Sequence, residues 1–465
     1  MWEIIEANKK KSLILFIAMG VCLILLGYFI GLVFSPDGGI AGIFFALAVW
    51  AALSLVSYFS GDYIALTTSN AKEVSYDVHP QLFNIVEEMK IAANFPHMPR
   101  IYIIDDPAPN AFATGTKPEK SSIAVTAGIL NMLNRDELQG VVAHEMSHIV
   151  NRDVLFVTFA GIMLGSITLI SQTFLRGIIH VPRSSRRYRS SGKGGGQAAV
   201  IFIAILFAIL APILARILYF AISRKREYLA DASAVRLTRY PEGLASALEK
   251  ISSGNFNLEY VNSVTAPMYI INPMEKNGLK ISDLSSTHPP ISERIHILRN
   301  MMYGASYLHY QKAFSDVKKK TSKIIPLSSL KEETIPIRTA SAEPKQAPDK
   351  KQEIRNLGDL MMAVNKYAFL TCLCGLKIKV PPHFNKNKIT CPKCSRELDV
   401  PSEKDKNKPA GAAGAVTGSN VYVRQGTQWE TFTCSCGAIQ QLSPAFKASH
   451  LICRVCGKTI QIKNQ

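Results

Sequence analysis

At 465 residues the chain is longer than a single hydrophobic core sustains, so its length excludes a one-core domain and leaves room for a buried active site. The formal net charge of +18 is dispersed over amino-terminal lysines, the stretch 176–193 and a long carboxy-terminal segment, so membrane topology and solubility account for it and nucleic acid is not expected as a partner. Nine cysteines are present, and all but Cys22 fall in close pairs after position 370, a pattern that suggests metal ligation and argues against a disulfide scaffold.

Four apolar runs, at 13–34, 40–59, 154–175 and 198–222, each approach the ~20 residues a helix needs to cross a bilayer. The first follows Lys9, Lys10 and Lys11, but no small-x-small cleavage site follows it and a second run comes at once. A retained transmembrane hairpin over 1–61 is therefore expected, in contact with the lipid bilayer.

A soluble segment follows. Leu82, Ile85, Val86 and Met89 give residues 79–93 helical periodicity, and residues 100–104 form a short buried strand that stops at Asp105-Asp106-Pro107. Residues 110–115 and 122–126 look like a strand pair. Asp136, three positions before Gln139, resembles the start of a helix running through Val150. Past the second pair of apolar runs, residues 223–252 are again helical in pattern, with a break at Tyr240-Pro241.

Residues 311–365, rich in Lys, Ser, Thr, Pro and Glu, are expected to be a disordered linker. Beyond it lies an internal repeat. Cys372, Cys374, Cys391 and Cys394 recur as Cys434, Cys436, Cys453 and Cys456, each 62 positions on. C-x-C and C-x-x-C pairs sixteen residues apart resemble zinc ribbons, in which thiolates fold a unit too small for a core of its own. Two ribbons, at 366–401 and 421–465, are thus expected, joined by a flexible tether at 402–420 and holding one structural zinc each. Lys377, Lys379, Lys386 and Lys388 read as a solvated surface in preference to a nucleic-acid face.

The chemistry concentrates in His144-Glu145-Met146-Ser147-His148. On a helix, histidines four apart project from one face and can grip one metal ion, while Glu145 stands beside the open coordination position as general base. Zinc held by three protein ligands keeps a fourth position for water. The third ligand is offered by Glu227, with Asp231 one turn on and suited to orient a histidine.

These motifs, with Asn110-Ala111-Phe112-Ala113-Thr114-Gly115, Asn151-Arg152-Asp153, Arg226-Glu227-Tyr228-Leu229-Ala230-Asp231 and Thr287-His288-Pro289-Pro290-Ile291-Ser292-Glu293-Arg294, resemble the HtpX-type membrane zinc metallopeptidases, relatives of the CAAX prenyl proteases. The resemblance covers about residues 1–300. It implies an α+β gluzincin-like catalytic domain, expected over 62–310, on the cytoplasmic side of the inner cell membrane with the ribbons; the hydrophobic hairpin 154–222 within it either crosses the membrane against the bias of its Arg-rich loop, enters it shallowly, or packs on the domain without crossing. It further implies endopeptidase action on protein or peptide substrates, chiefly membrane proteins in quality control. Asn110, Ala111, Phe112 and Ala113 would bind substrate backbone by strand addition. His288 and Arg294 would stabilise the oxyanion or order the site, the alternative being a helix-entry residue and a surface charge. Two other functions stay open: a membrane tether whose ribbons bind protein or nucleic acid beside a vestigial peptidase site, and processing of prenylated peptides.

Overall fold

All four apolar runs form helices long and apolar enough to cross a membrane, the conformation in which a segment satisfies its own backbone polar groups. They are α1 (Trp2–Phe34), α2 (Gly38–Thr68), α6 (Asp153–His180) and α7 (Gly195–Thr238). The structure, a computed structural model, describes residues 2–115, 117–180, 195–253, 268–271, 288–301, 304–319, 324–325, 330, 335–341, 350–384, 386–400, 421–424, 430–434, 439–442, 450–452 and 459–464. Residues 181–194, which hold most of the basic stretch 176–193, and the tether 402–420 lie outside these residues. Two compact units divide the chain, Met1–Asn365 and Lys366–Gln465.

In the first unit the four helices pack on one another. Leu15, Met19, Leu23 and Leu26 of α1 meet Ala46 of α2, Phe159, Met163 and Ile167 of α6, and Ala208, Ala211 and Ala215 of α7. Their outer faces carry exposed Ile14, Ile17, Phe44, Phe45, Leu169 and Phe202, a polarity that water would penalise and lipid would not. Helices α1 and α2 meet through Gly27, Gly31, Gly38 and Gly42. A Cβ on Gly31 would fall 2.2 Å from the Gly38 carbonyl oxygen, and one on Gly42 would fall 2.1 Å from that of Gly27. The small-xxx-small spacing within each pair permits this approach, and dispersion between the two backbones rewards it.

The catalytic region is built on a four-stranded sheet of order β1 (Ala71–Glu73), β2 (Arg100–Ile104), β4 (Ser122–Thr126), β3 (Ala111–Thr114). β2 and β4 are parallel, while β1 and β3 flank them antiparallel. Side chains alternate across it. Ile101, Ile103, Ala111, Ala113, Ile123 and Val125 face the main core with α3 (Pro80–Ala92) and α5 (Arg135–Val150). Tyr102, Ile104, Phe112 and Ala124 face Ala65 and Leu66 at the end of α2, which runs past its apolar span to cover the sheet. After α4 (Ala127–Met132) comes α5, whose capping residue Asn134 lies two positions before the Asp136 that the spacing suggested. Asn134 caps it in a reciprocal box with Glu137, each side chain accepting the other's backbone N–H at 2.9 Å. The break after Thr238 separates α7 from α8 (Pro241–Ser253), and α9 (Ile291–Arg299) packs on α8.

The expected disordered linker is corrected by the structure. Helix α10 (Tyr307–Lys318) buries Tyr310, Ala313 and Phe314 in the main core, and α11 (Lys350–Val364) lays Leu357, Leu360, Met361 and Val364 on it. Between them residues 335–341 run extended. The Arg338 backbone N–H donates to the Arg239 carbonyl and its guanidinium donates to Thr238 O, Asp136 and Gln139 at 2.6–2.9 Å, with Ser341 N–H completing Asp136. Burial alone would raise the Asp136 carboxyl, but the Ser341 N–H and the Arg338 guanidinium more than reverse this and hold it below its ordinary range. A lowered carboxyl stabilises the fold above the ordinary carboxylate range, and the contribution fades as pH falls through the lowered value. Arg338→Ala should therefore cost about 1–2 kcal/mol at pH 7, and thermal unfolding in detergent should show the deficit shrinking towards pH 3.

In the second unit the repeat is structural as well as spelled in cysteines. β5 (Ala368–Thr371), β6 (Lys377–Val380) and β7 (Lys388–Thr390) recur 62 positions on as β10 (Glu430–Thr433), β11 (Ile439–Leu442) and β12 (His450–Ile452). β8 (Glu397–Asp399) recurs in the longer β13 (Thr459–Asn464). Only the second copy adds a strand among the described residues, β9 (Val421–Arg424), parallel to β13.

Candidate metal centre

His144 and His148 lie on one face of α5, as four-residue spacing demands, and Glu227 reaches them from α7. The two histidine Nε2 atoms are 3.2 Å apart. Glu227 Oε2 lies 3.5 Å from His144 Nε2, and Oε1 lies 3.5 Å from His148 Nε2. Nitrogen and oxygen ligands at about 2.0–2.1 Å from a tetrahedral zinc stand about 3.3–3.4 Å from one another. The two histidine nitrogens stand at about that separation, each faces one Glu227 oxygen at 3.5 Å, and one donor atom from each of the three residues lies within 4.8 Å of the others, so the residues fit the ion. Glu145 is buried beside them, and neither of its carboxylate oxygens has a hydrogen-bond partner. Burial pushes its pKa up, as expected of a carboxyl held in a dry site to take a proton.

Each histidine is held from behind by a buried aspartate. His144 Nδ1 lies 3.0 Å from Asp231 Oδ1, the orienting contact expected for Asp231. His148 Nδ1 lies 3.3 Å from Asp153 Oδ2. Asp153 is in turn met by Arg226 at 3.2 Å, whose other Nη atom donates to Ser12 Oγ of α1 at 2.7 Å. No role had been expected of Asp153 or Arg226, although both stand in the motifs quoted above. The available signal was their adjacency to ligands: Asp153 is five residues past His148, just beyond a left-handed Arg152 (φ 61°) that turns α5 into α6, and Arg226 precedes Glu227.

The surface-charge alternative for Arg294 is overturned. It is fully buried, donates to both Asp231 oxygens at 2.9 and 2.7 Å, and places Nη1 3.5 Å from Glu227 Oε2. Its two donors to Asp231 hold the carboxylate that faces His144 Nδ1. His288 is also buried, its Nε2 3.6 Å from Glu227 Oε2, and burial lowers its pKa to about 4, which leaves the ring uncharged. Burial would raise the Glu227 carboxyl, but the surrounding His288, His144 and His148 rings keep it well below its usual range. Asp231 too is pushed up by burial and pulled below its ordinary range by Arg294 and His144.

Strand β3 forms the sheet edge, as expected, but its start is already engaged. Ile270 N–H donates to Ala111 O at 2.9 Å, and the Asn110 amide holds Ile271 O at 2.8 Å. Asn110 therefore supports the cleft wall. Phe112 stacks edge-on against Tyr269 on the face away from the main core. Asn110 O bonds across to Thr126, so strand alternation turns the Ala113 backbone groups away from β4, towards open edge.

The first cysteine set also comes together. Cys372 and Cys374 lie in the turn of the β5–β6 hairpin, and Cys391 and Cys394 in that of β7–β8. Their sulfurs approach at 3.4 Å (Cys372, Cys394) and 3.6 Å (Cys374, Cys391), too long for disulfides and close to the about 3.8 Å edge expected around one zinc. Burial opposes ionisation of the Cys391 thiol, but the Lys393 and Cys394 N–H groups aimed at it bring its pKa down to about 6. In the second copy Cys434 is buried, while Cys436, Cys453 and Cys456 lie outside the described residues.

A family model described as Peptidase family M48 matches residues 78–302. Curated relatives include a protein named Protease HtpX homolog from Dictyoglomus turgidum, 44% identical over 305 residues that make up 64% of this chain and 94% of the relative. One of the same name from Listeria monocytogenes serotype 4a is 41% identical over 306 residues, 65% of this chain and 100% of the relative. Among solved structures, the crystal structure of S. mikatae Ste24p matches 64% of this chain and 67% of that chain at 22% identity, with a TM-score of 0.35.

Proposed function

Because the chain belongs to peptidase family M48 with the HtpX homologues, and so is a membrane-associated metalloprotease, we propose that it is a zinc endopeptidase whose gluzincin-type centre is His144, His148 and Glu227. The observation that carries this reading is the cluster of two histidine nitrogens 3.2 Å apart, each facing a Glu227 oxygen, beside a buried carboxylate without a partner. Zinc there would polarise the scissile carbonyl and lower the pKa of the attacking water.

The protein's own groups supply the rest. The outward backbone groups of Ala113 pair with an extended substrate, next to the Phe112 wall. Glu145 accepts the water proton and delivers it to the leaving amine. His288, uncharged, donates a hydrogen bond to the carbonyl oxygen as negative charge grows there. Asp231 and Asp153 hold the two histidine rings in the tautomer that presents Nε2 inward. In α7, Glu227 follows the end of the apolar run at Ile222 by five residues, about 7.5 Å along the axis, so membrane proteins with exposed or misfolded segments are the natural substrates. The site faces the cytoplasm in this reading, and quality control of the membrane is the role it serves.

Metal content and activity test the proposal together. The intact chain should bind three zinc ions, one catalytic and one in each ribbon. His144→Ala and Glu227→Ala should each lose one ion and all peptide cleavage, whereas Cys372→Ser should lose one ion and keep cleavage. Full cleavage by His144→Ala, or an unchanged zinc count in it, would sink the assignment.

A further inference from the structure

Between the membrane bundle and the sheet edge lies a cavity of about 830 Å³ that the proposed peptidase chemistry does not use. Leu13 of α1 with Leu55 and Phe59 of α2 line it and are 59–65% exposed, so the cavity opens on the surface that acyl chains would cover. Its volume is that of a small-molecule site. Its rim carries Lys117 and Arg152 and no acidic side chain, and among the described residues neither cation has an acidic partner. Lys117 lies 5.8 Å over the Tyr58 ring, which keeps its charge at the apolar mouth. Deeper in, Ser57 is fully buried and its hydroxyl has no hydrogen-bond partner, a cost that a ligand oxygen would remove.

We propose that this cavity binds an anionic glycerophospholipid, its phosphate on Lys117 and Arg152, an acyl chain along Leu13, Leu55 and Phe59, and an ester oxygen on Ser57. Free phosphate would leave the apolar wall and Ser57 unused. The transmembrane segment of a substrate is disfavoured by charge, since cytoplasmic flanks of such segments are rich in Lys and Arg and would meet two further cations. The site has consequences for the metal centre. Ile149, in its wall, follows the proposed ligand His148, Arg152 precedes the Asp153 that meets that histidine, and Gly115 directly follows strand β3. A bound lipid therefore braces both sides of the cleft where it meets the bilayer. The inference rests on the four helices crossing a membrane and is independent of the zinc assignment.

The test uses the full chain in detergent, with bound lipid counted by native mass spectrometry after titration with dioleoyl phosphatidylglycerol or dioleoyl phosphatidylcholine. Two cations near a lipid headgroup predict roughly thirtyfold preference for phosphatidylglycerol, lost in Lys117→Gln/Arg152→Gln. Leu55→Trp, which keeps both charges and narrows the apolar mouth, should weaken phosphatidylglycerol binding as well. Zinc content equal to that of the parent chain shows that each variant is folded. Inorganic phosphate at millimolar concentration should not displace the lipid. Equal retention of the two lipids, full retention in either variant, displacement by phosphate, or displacement by a hydrophobic peptide with basic flanks would each overturn the assignment.

Discussion

Replacing Glu145 by Gln is expected to lower peptide hydrolysis about 10²–10⁴-fold, the range that a positioned general base contributes, while leaving the catalytic zinc bound. Glutamine fills the same volume and cannot accept the proton. Glu145 is not one of the three donors, so His144, His148 and Glu227 keep their separations. Stability should move in the opposite direction from activity. The carboxylate is buried without a hydrogen-bond partner, so the neutral amide removes a desolvation cost that the active enzyme carries. Single-turnover cleavage, zinc content and thermal unfolding measured on one preparation separate these effects. Undiminished cleavage would remove Glu145 from the mechanism, and loss of zinc would mean that its carboxylate helps to hold the ion.

Arg294→Met should be the most destabilising single change near the site, at about 3–5 kcal/mol, because it strands the Asp231 carboxylate in the core. Arg294 makes both charge-assisted bonds to Asp231 and has no exposed surface through which water could substitute. His144 would lose its orientation with Asp231, so zinc affinity should fall together with stability. Adding Asp231→Asn removes the stranded charge while leaving an amide oxygen to face His144 Nδ1. The double variant should therefore be more stable than Arg294→Met alone, a coupling that a double-mutant cycle measures directly. A cost below about 1 kcal/mol for Arg294→Met would show that the pair is not the buried anchor described above.

The candidate metal ligands are legible because helical periodicity is local. Four-residue spacing puts His144 and His148 on one face whatever surrounds them, and Arg100–Ile104 reads as a strand from its own composition. The start of α5 was misplaced for a related reason. Asn134-x-x-Glu137 and Asp136-x-x-Gln139 offer the same capping spacing, and the choice between them depends on Arg338 and Ser341, about two hundred residues away, which engage Asp136 instead. The carboxy-terminal segment was misread for want of resolution. Leu357, Leu360, Met361 and Val364 carry helical spacing that the average Lys- and Pro-rich composition of the stretch obscures.

Alone, the sequence determined the repeated cysteine module, the four membrane-length helices and the donor types of the metal centre, since each is written in short-range spacing. Only tertiary structure decided that Arg294 is buried against Asp231, that Asp153 and Arg226 tie His148 to α1, and that Ile270 already lies on the start of the β3 edge. These are contacts between segments far apart in the chain. Their energies come from burial and from charge pairing within it, which no local pattern encodes.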